Sequence, residues 1–307
     1  MKIIFIDTTH PKLIEDLNSR GFICDQAYEK SRSEILKIIK NYDGIVIRSR
    51  FKIDKNFINA AKKLKFIARA GSGTENIDLH YANKKNITCF NAAEGNRQAV
   101  AEHALAMILN LLNNIRLSDQ EIRRGIWNRE KNRGIELSGK TIGIIGFGNT
   151  GSSFAKILEN FNVKILAYDK YKEKYKFQSN LDEILEFSDI ISLHIPLTEE
   201  TKYLVNKNFI DKAKKPFYII NTSRGKCIET KALIKGLKDQ KILGACLDVF
   251  EQEKNSFEKI GENADLKYLI ESNKTILTPH IAGWTFESNY KIAETLSNKI
   301  INLIEKS

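Results

Sequence analysis

The sequence predicts an α/β protein built from two doubly wound parallel sheets. Three observations carry that prediction. Short apolar runs alternate with helix-spaced runs in both halves of the chain, which favours parallel strands joined by helices that cover both faces. A long helical pattern at 97–124 divides the halves, with Val100, Ala104, Met107, Ile108, Leu111 and Ile115 at steps of three and four. A glycine-rich turn at 146–151 follows one apolar run and opens a helical one. At 307 residues the chain has room for two cores.

In the first half, 2–6, 22–27, 44–48, 66–70 and 87–91 read as strands, being short, apolar and rich in β-branched residues. Residues 12–19, 33–40 and 55–63 read as helices between them. After the long helix, 125–139 is polar and turn-rich, hence a loop. The second half repeats the alternation, with strands expected at 141–145, 163–168, 190–195, 217–221, 244–249 and 275–281. The final helix, 286–305, carries Ile292, Leu296, Ile300 and Leu303 on one face and is expected to return to the first domain. The expected domains are therefore 1–96 with 284–307, and 97–283.

Apolar content of 42% and charged content of 28% describe an ordinary globular chain. The apolar start before Asp7 is too short for a secretory signal, and no run reaches the roughly 18 apolar residues of a membrane span. Cys24, Cys89, Cys227 and Cys246 form no C-x-x-C pair, so reduced cysteines in a cytoplasmic protein are expected, without a metal site. The net charge of +11 is open to three readings: nucleic acid, an anionic substrate, or merely a lysine-rich surface. Its lysines are interleaved with acids, as in KYKEKYK at 170–176, and no nucleic-acid motif is present. The expectation is a solvated basic surface and a small anionic substrate, with neither nucleic acid nor membrane as partner.

The stretch 141–169 is the most informative. An apolar run opens into Gly146-Phe147-Gly148-Asn149-Thr150-Gly151, then a helical run, then a second strand ending on Asp169. In this context Gly146 permits the tight turn, Gly148 lets backbone approach a pyrophosphate, and Gly151 lets the helix pack on the strand. The helix N-terminus offers N–H groups and partial positive charge, and Asp169 would hold ribose hydroxyls. The expected ligand is NAD rather than NADP, because a carboxylate repels a 2′-phosphate. Lys170 and Lys172 follow at once and would soften that preference.

Three further stretches end predicted strands: NTSRG at 221–225, DVFEQE at 248–253 and TPHIAG at 278–283. Ligands bind beyond the carboxyl ends of strands in open parallel sheets. Arg224, Glu253 and His280 are thus expected to converge. Singly, each admits a structural explanation: a turn arginine, one acid among several, a helix cap. Together they suit hydride transfer at an alcohol carbon. Histidine carries the proton, a carboxylate fixes its tautomer, and arginine clamps a substrate carboxylate.

With these motifs and LHIPLT at 193–198, in this order and spacing, the chain resembles the D-2-hydroxyacid dehydrogenase family over essentially its whole length. The resemblance implies a flavodoxin-like substrate domain and a Rossmann NAD-binding domain, and a homodimer. It implies Arg224, Glu253 and His280 as catalytic residues. On the cofactor side it implies Gly146, Gly148, Asn149, Thr150, Gly151, Asp169, Ile195, Pro196, Thr222, Ser223, Asp248 and Gly283. On the substrate side it implies Arg48 and the loop Arg69, Ala70, Gly71, Ser72 and Gly73, whose N–H groups would hold a carboxylate. The stretches 48–54 and 68–78 resemble those of D-3-phosphoglycerate dehydrogenases, so 3-phospho-D-glycerate is the expected substrate, with Arg48, Arg50 and Arg69 supplying positive charge. Glyoxylate, hydroxypyruvate or D-lactate are the alternatives, and a catalytically silent NAD sensor is the alternative of another class. The chain ends soon after its last helix, so an added regulatory domain is not expected. Lys254 stands where the family often has proline, and 255–269 is longer than usual. His103, within the long helix's pattern, is expected to be packed at a domain or subunit contact, and His194 to shape the adenine side; the resemblance implies that Trp127 reaches toward a neighbouring subunit's cleft, with a surface anchor as the alternative.

Overall fold

The computed structural model describes residues 1–253 and 263–305; Lys254 and the first part of the long segment after it lie outside the described residues. Contacts divide the chain into two units, Met1–Arg97 with Trp284–Ser307, and Gln98–Gly283.

The first unit runs β1 (Lys2–Phe5), α1 (Pro11–Ser19), β2 (Ile23–Gln26), α2 (Arg32–Ile38), β3 (Gly44–Ile47), α3 (Lys55–Ala60), β4 (Phe66–Arg69), α4 (Leu79–Lys84) and β5 (Thr88–Asn91). Its five strands are parallel in the order β2-β1-β3-β4-β5, the flavodoxin-like order. The central strands are apolar without alternation because both faces are covered. Ile4, Ile45 and Ile67 pack with Ile35, Ile39 and Phe57 on one side. Ile3, Phe5, Val46 and Phe66 pack with Leu13 and Leu17 on the other, together with Ala293, Leu296 and Ile300 of the C-terminal helix. Helix starts follow local chemistry: Ser31 and Glu34 make a reciprocal capping box on α2, and Asp54 and Asp78 cap α3 and α4.

The expected single helix at 97–124 is two helices, α5 (Ala93–Leu112) and α6 (Ile115–Arg123). The break falls on Asn113-Asn114. Asn114 takes φ +52°, and the Arg116 N–H donates to Asn110 Oδ1 at 3.0 Å instead of continuing the helical ladder. Asparagine adopts that left-handed turn more readily than most residues, and the hydrophobic period alone does not register it.

The second unit continues with β6 (Thr141–Ile145), α7 (Asn149–Leu158), β7 (Lys164–Tyr168), α8 (Leu181–Phe187), β8 (Ile190–Leu193), α9 (Lys207–Lys212), β9 (Phe217–Asn221), α10 (Thr230–Lys238), β10 (Ile242–Leu247), α11 (Ala264–Glu271) and β11 (Thr275–Leu277). Helix α12 (Phe286–Glu305) then belongs to the first unit. The six strands are parallel in the order β11-β10-β9-β8-β6-β7. A parallel bridge from Ala167 to Gln178 extends the sheet past β7. Counted from β6 with that bridge as third, the order is the Rossmann 3-2-1-4-5-6, with β11 added outside. One face is covered by Ala101, Ala104, Met107, Ile108 and Leu111 of α5 together with Phe154 and Leu158. Phe209, Ile210, Leu233 and Leu237 cover the other.

Strands β8, β10 and β11 stop short of their apolar runs. His194–Ile195, Asp248–Val249 and Thr278–Ile281 leave the sheet as loops. These loops stand at its carboxyl edge, and the order in which strands are added reverses between the neighbours β6 and β8.

Candidate active site

The turn after β6 is built around its three glycines. Gly146 has φ +94°, and a Cβ on it would lie 2.3 Å from His194 O. A Cβ on Gly151 would lie 2.0 Å from Gly146 O, so α7 sits against the turn only because that atom is missing. Gly148 differs. Its φ is −78°, and a Cβ there would meet nothing within 4 Å. Neither backbone nor packing of this chain requires glycine at 148, and the open space at the mouth of α7 leaves room for a ligand to approach. Asn149 and Thr150 open that helix, whose N-cap is Gly148 and has no side chain to cap it.

Asp169 is held by the same turn. Its Oδ2 accepts from Phe147 N at 2.8 Å, and its Oδ1 from Tyr171 N at 2.9 Å and Lys172 N at 3.1 Å. Lys172 Nζ donates to Phe147 O at 2.9 Å. Across the turn, Ile195 and Pro196 follow β8, and Ile195 Cγ2 would lie 2.9 Å from a Cβ on Gly146. His194 is buried between Ser192 Oγ at 2.9 Å and Thr150 Oγ1 at 3.3 Å. Burial pushes its pKa down to about 3, so the ring is neutral and serves to place Thr150.

At the end of β9, Asn221 shapes the next loop. Its Oδ1 accepts from Ser223 N at 3.0 Å and Ser223 Oγ at 2.7 Å, and its Nδ2 donates to Arg224 O at 3.0 Å. Thr222 Oγ1 is buried without a hydrogen-bond partner. A buried hydroxyl in that condition is costly unless a ligand satisfies it. With Gly148, it is the second sign that the carboxyl edge of this sheet fits a dinucleotide. Arg224 Nη1 donates to Ser223 O at 2.7 Å. A Cβ on Gly225 would lie 2.0 Å from Phe250 O, so the arginine loop rests directly on the loop carrying Glu253.

His280 and Glu253 meet. Nδ1 of His280 is 2.7 Å from Glu253 Oε2, and Glu253 Oε1 accepts from Phe250 N. His280 has φ +58°, a left-handed conformation uncommon outside glycine. Asp248 holds it there. Its backbone O accepts His280 N at 2.8 Å; Oδ1 accepts Ile281 N at 2.8 Å and Thr278 Oγ1 at 2.6 Å; Oδ2 accepts Ala282 N at 2.8 Å. Asp248, expected to be a cofactor contact, has a structural duty here: its carboxylate, 1% exposed, grips both sides of the histidine loop. Beneath it, His103 Nε2 lies 3.0 Å from Thr278 Oγ1. Since that hydroxyl gives its proton to Asp248, His103 is the donor to Thr278. The helix pattern marked His103 as packed; its role under the loop depends on tertiary pairing with Asp248, which spacing does not show. Gly283 closes this unit.

In the first unit, Ala70 N donates to Ile47 O at 2.8 Å and Gly71 N to Arg69 O at 2.9 Å. Two of the expected carboxylate-binding N–H groups are thus spent on protein carbonyls. Gly71, at φ +142°, lets the Arg69 guanidinium fold against it; a Cβ would lie 1.6 Å from Nη1. Ser72 Oγ donates to Asn96 Oδ1 at 2.7 Å, and Gly73 follows in the same loop. Asp7 Oδ2 receives the N–H groups of Arg48, Ser49 and Arg50. The Arg48 guanidinium lies 4.4 Å over the Trp284 ring. Arg50 Nη1 donates to Ile6 O and Ala27 O, so its charge is committed to strand ends.

The second unit is thus a nucleotide-binding α/β sheet with an imidazole–carboxylate pair and an arginine loop at one edge. Residues 105–282 match the model for the D-isomer specific 2-hydroxyacid dehydrogenase, NAD binding domain. The chain is 34% identical over 309 residues to D-3-phosphoglycerate dehydrogenase of Archaeoglobus fulgidus, covering 99% of this chain and 57% of that protein. It is 37% identical over 272 residues to hydroxypyruvate reductase of Thermotoga maritima, covering 88% and 87%. D-lactate dehydrogenase from Aquifex aeolicus, solved with NAD and lactic acid, superposes with a TM-score of 0.84 at 28% identity, covering 100% of this chain and 96% of that one. The chain therefore belongs to the D-isomer specific 2-hydroxyacid dehydrogenase family, and its matched domain is the NAD-binding one. It spans little more than half the length of the Archaeoglobus relative. Among the described residues no helix is long and apolar enough to cross a membrane, and no cluster of metal-ligating side chains is present.

Proposed function

We propose that this protein interconverts a D-2-hydroxy acid and its 2-oxo acid with NAD. The observation that carries the reading is the 2.7 Å contact between His280 and Glu253 beside the arginine loop. In oxidation, C2 loses a hydride while its hydroxyl loses a proton. NAD, when bound, supplies the hydride acceptor. Arg224 pairs with the substrate carboxylate through its planar fork and polarises the neighbouring oxygen. His280, with Nδ1 on Glu253, takes the hydroxyl proton at Nε2, and the carboxylate stabilises the imidazolium that results. In reduction the same nitrogen returns the proton. On the first unit, Arg48, Arg69 and the N–H groups of Ser72 and Gly73 are the proposed substrate contacts. The cofactor contacts proposed are Gly148, Asn149, Thr150 and Asp169, with Ile195, Pro196, Thr222 and Ser223.

The leading substrate is 3-phospho-D-glycerate, oxidised to 3-phosphohydroxypyruvate; cationic Arg48 and Arg69 near adjacent strand ends support it. The commitment of Arg50 to Ile6 O and Ala27 O favours the second reading, an unphosphorylated acid such as hydroxypyruvate, glyoxylate or D-lactate. Steady-state rates with these acids, followed at the nicotinamide absorbance, separate the two. Equal kcat/KM with and without the phosphate removes the first, and no turnover of any of them removes the dehydrogenase reading. The four free cysteines support a reducing compartment. Exposed Ile115 and Ile122 on α6, with Ile126 and the 78% exposed Trp127 after it, support self-association. Light scattering that shows a monomer at micromolar concentration would remove that last proposal.

A further inference from the structure

Asp169 does not decide the dinucleotide alone, because Lys170 and Lys172 follow it most closely and a bare lysine there would welcome a 2′-phosphate. Each is already engaged. Lys172 Nζ donates to Phe147 O in the glycine turn. Lys170 Nζ lies 2.6 Å from Glu200 Oε1, and the neighbouring Tyr171 hydroxyl donates to Glu200 Oε2 at 2.9 Å. Glu200 stands on the loop after β8, which opens with His194 and Ile195 against Gly146. The loops after β7 and β8 thus flank the glycine turn, and one carboxylate ties them together.

We propose that Glu200 is a specificity residue for the cofactor: it engages and neutralises Lys170, so that this lysine is not available to a phosphate beside Asp169. This rests on the reading of the second unit as a dinucleotide site. A 2′-phosphate carries a charge of about −1.5 to −2 at neutral pH. With Glu200 present it meets two carboxylates; without it, it meets a released ammonium. The pair is 54% and 55% exposed, so its influence is modest and screened by salt.

The test is direct binding of NADH and NADPH, read by nicotinamide fluorescence, without turnover. Wild-type protein is expected to bind NADH more tightly. Glu200→Gln should tighten NADPH about three- to tenfold while leaving NADH within about twofold, and the gain should shrink in high salt. Adding Lys170→Ala to that variant should abolish the gain. An unchanged NADPH-to-NADH ratio in Glu200→Gln overturns the proposal, and so does a gain that survives in the double variant, since Lys170 would then have no part in it. Wild-type protein that binds neither dinucleotide overturns the dinucleotide reading itself, a result distinct from either.

Discussion

Two histidines stand just past strand ends on one edge of the same sheet, and their surroundings send them to opposite tasks. His194, after β8, is enclosed by Ser192 and Thr150 and held neutral by burial. His280, after β11, is partly exposed, lies against a carboxylate and sits on a left-handed backbone. Imidazole chemistry does not distinguish them; the groups within 3.5 Å do. A ring between two hydroxyls with no charge nearby orients its neighbours. A ring whose Nδ1 lies 2.7 Å from Glu253 is fixed in orientation by a carboxylate, the arrangement on which the proposed proton transfer rests.

The largest expected effect breaks this contrast outright. His280→Ala should lower kcat about 10²–10⁴-fold and leave NADH affinity, measured by fluorescence titration, near wild type. Near-normal turnover would end the assignment. Arg224→Lys should raise KM for the acid about tenfold or more, since lysine cannot form the two-pronged contact; an unchanged KM argues that the carboxylate is held elsewhere. Gly148→Val should weaken NADH binding about tenfold or more through direct obstruction. Its thermal midpoint should move little, because a Cβ at 148 meets no protein atom within 4 Å. A lowered midpoint with unaltered binding reverses that reading.

The smallest effect is on stability, and it belongs to His194. Its folded pKa lies below the unfolded value near 6.5, so below that pH the unfolded chain takes up a proton that the folded one refuses. Stability is therefore complete above about pH 6.5 and lost progressively as pH falls toward 3, with a slope approaching about 1.4 kcal/mol per pH unit from this group. Urea unfolding between pH 7 and 5 should show the slope, and His194→Gln should flatten it. An identical pH dependence in the variant would mean that the ring is not buried neutral.

Much of this was legible in the chain because the signals are local. Continuous apolar runs such as Gly44–Ile47 and Thr141–Ile145, the latter apolar from its second residue, announce strands buried on both faces. The glycines at 146 and 151 announce close contacts that the Cβ distances bear out. What escaped the sequence depends on partners far along the chain. Asn113-Asn114 ends a helix whose apolar period continues unbroken. Strand ends at Leu193, Leu247 and Leu277 fall where the chain turns into loops, each tied to the sheet by one last backbone bond, from His194 N to Ile145 O, Asp248 N to Asn221 O and Thr278 N to Leu247 O. Arg50 reads as an available cation until Ile6 O and Ala27 O claim it, and His103 reads as packing until Thr278 and Asp248 are placed beside it.

The left-handed backbone at His280 has a practical consequence for anyone dissecting this protein. Alanine tolerates that conformation poorly, whereas asparagine visits it readily. His280→Ala therefore removes an imidazole and disturbs the bend that presents it, while His280→Asn removes the imidazole and keeps the bend. The gap between the two variants measures what the bend contributes, apart from the ring.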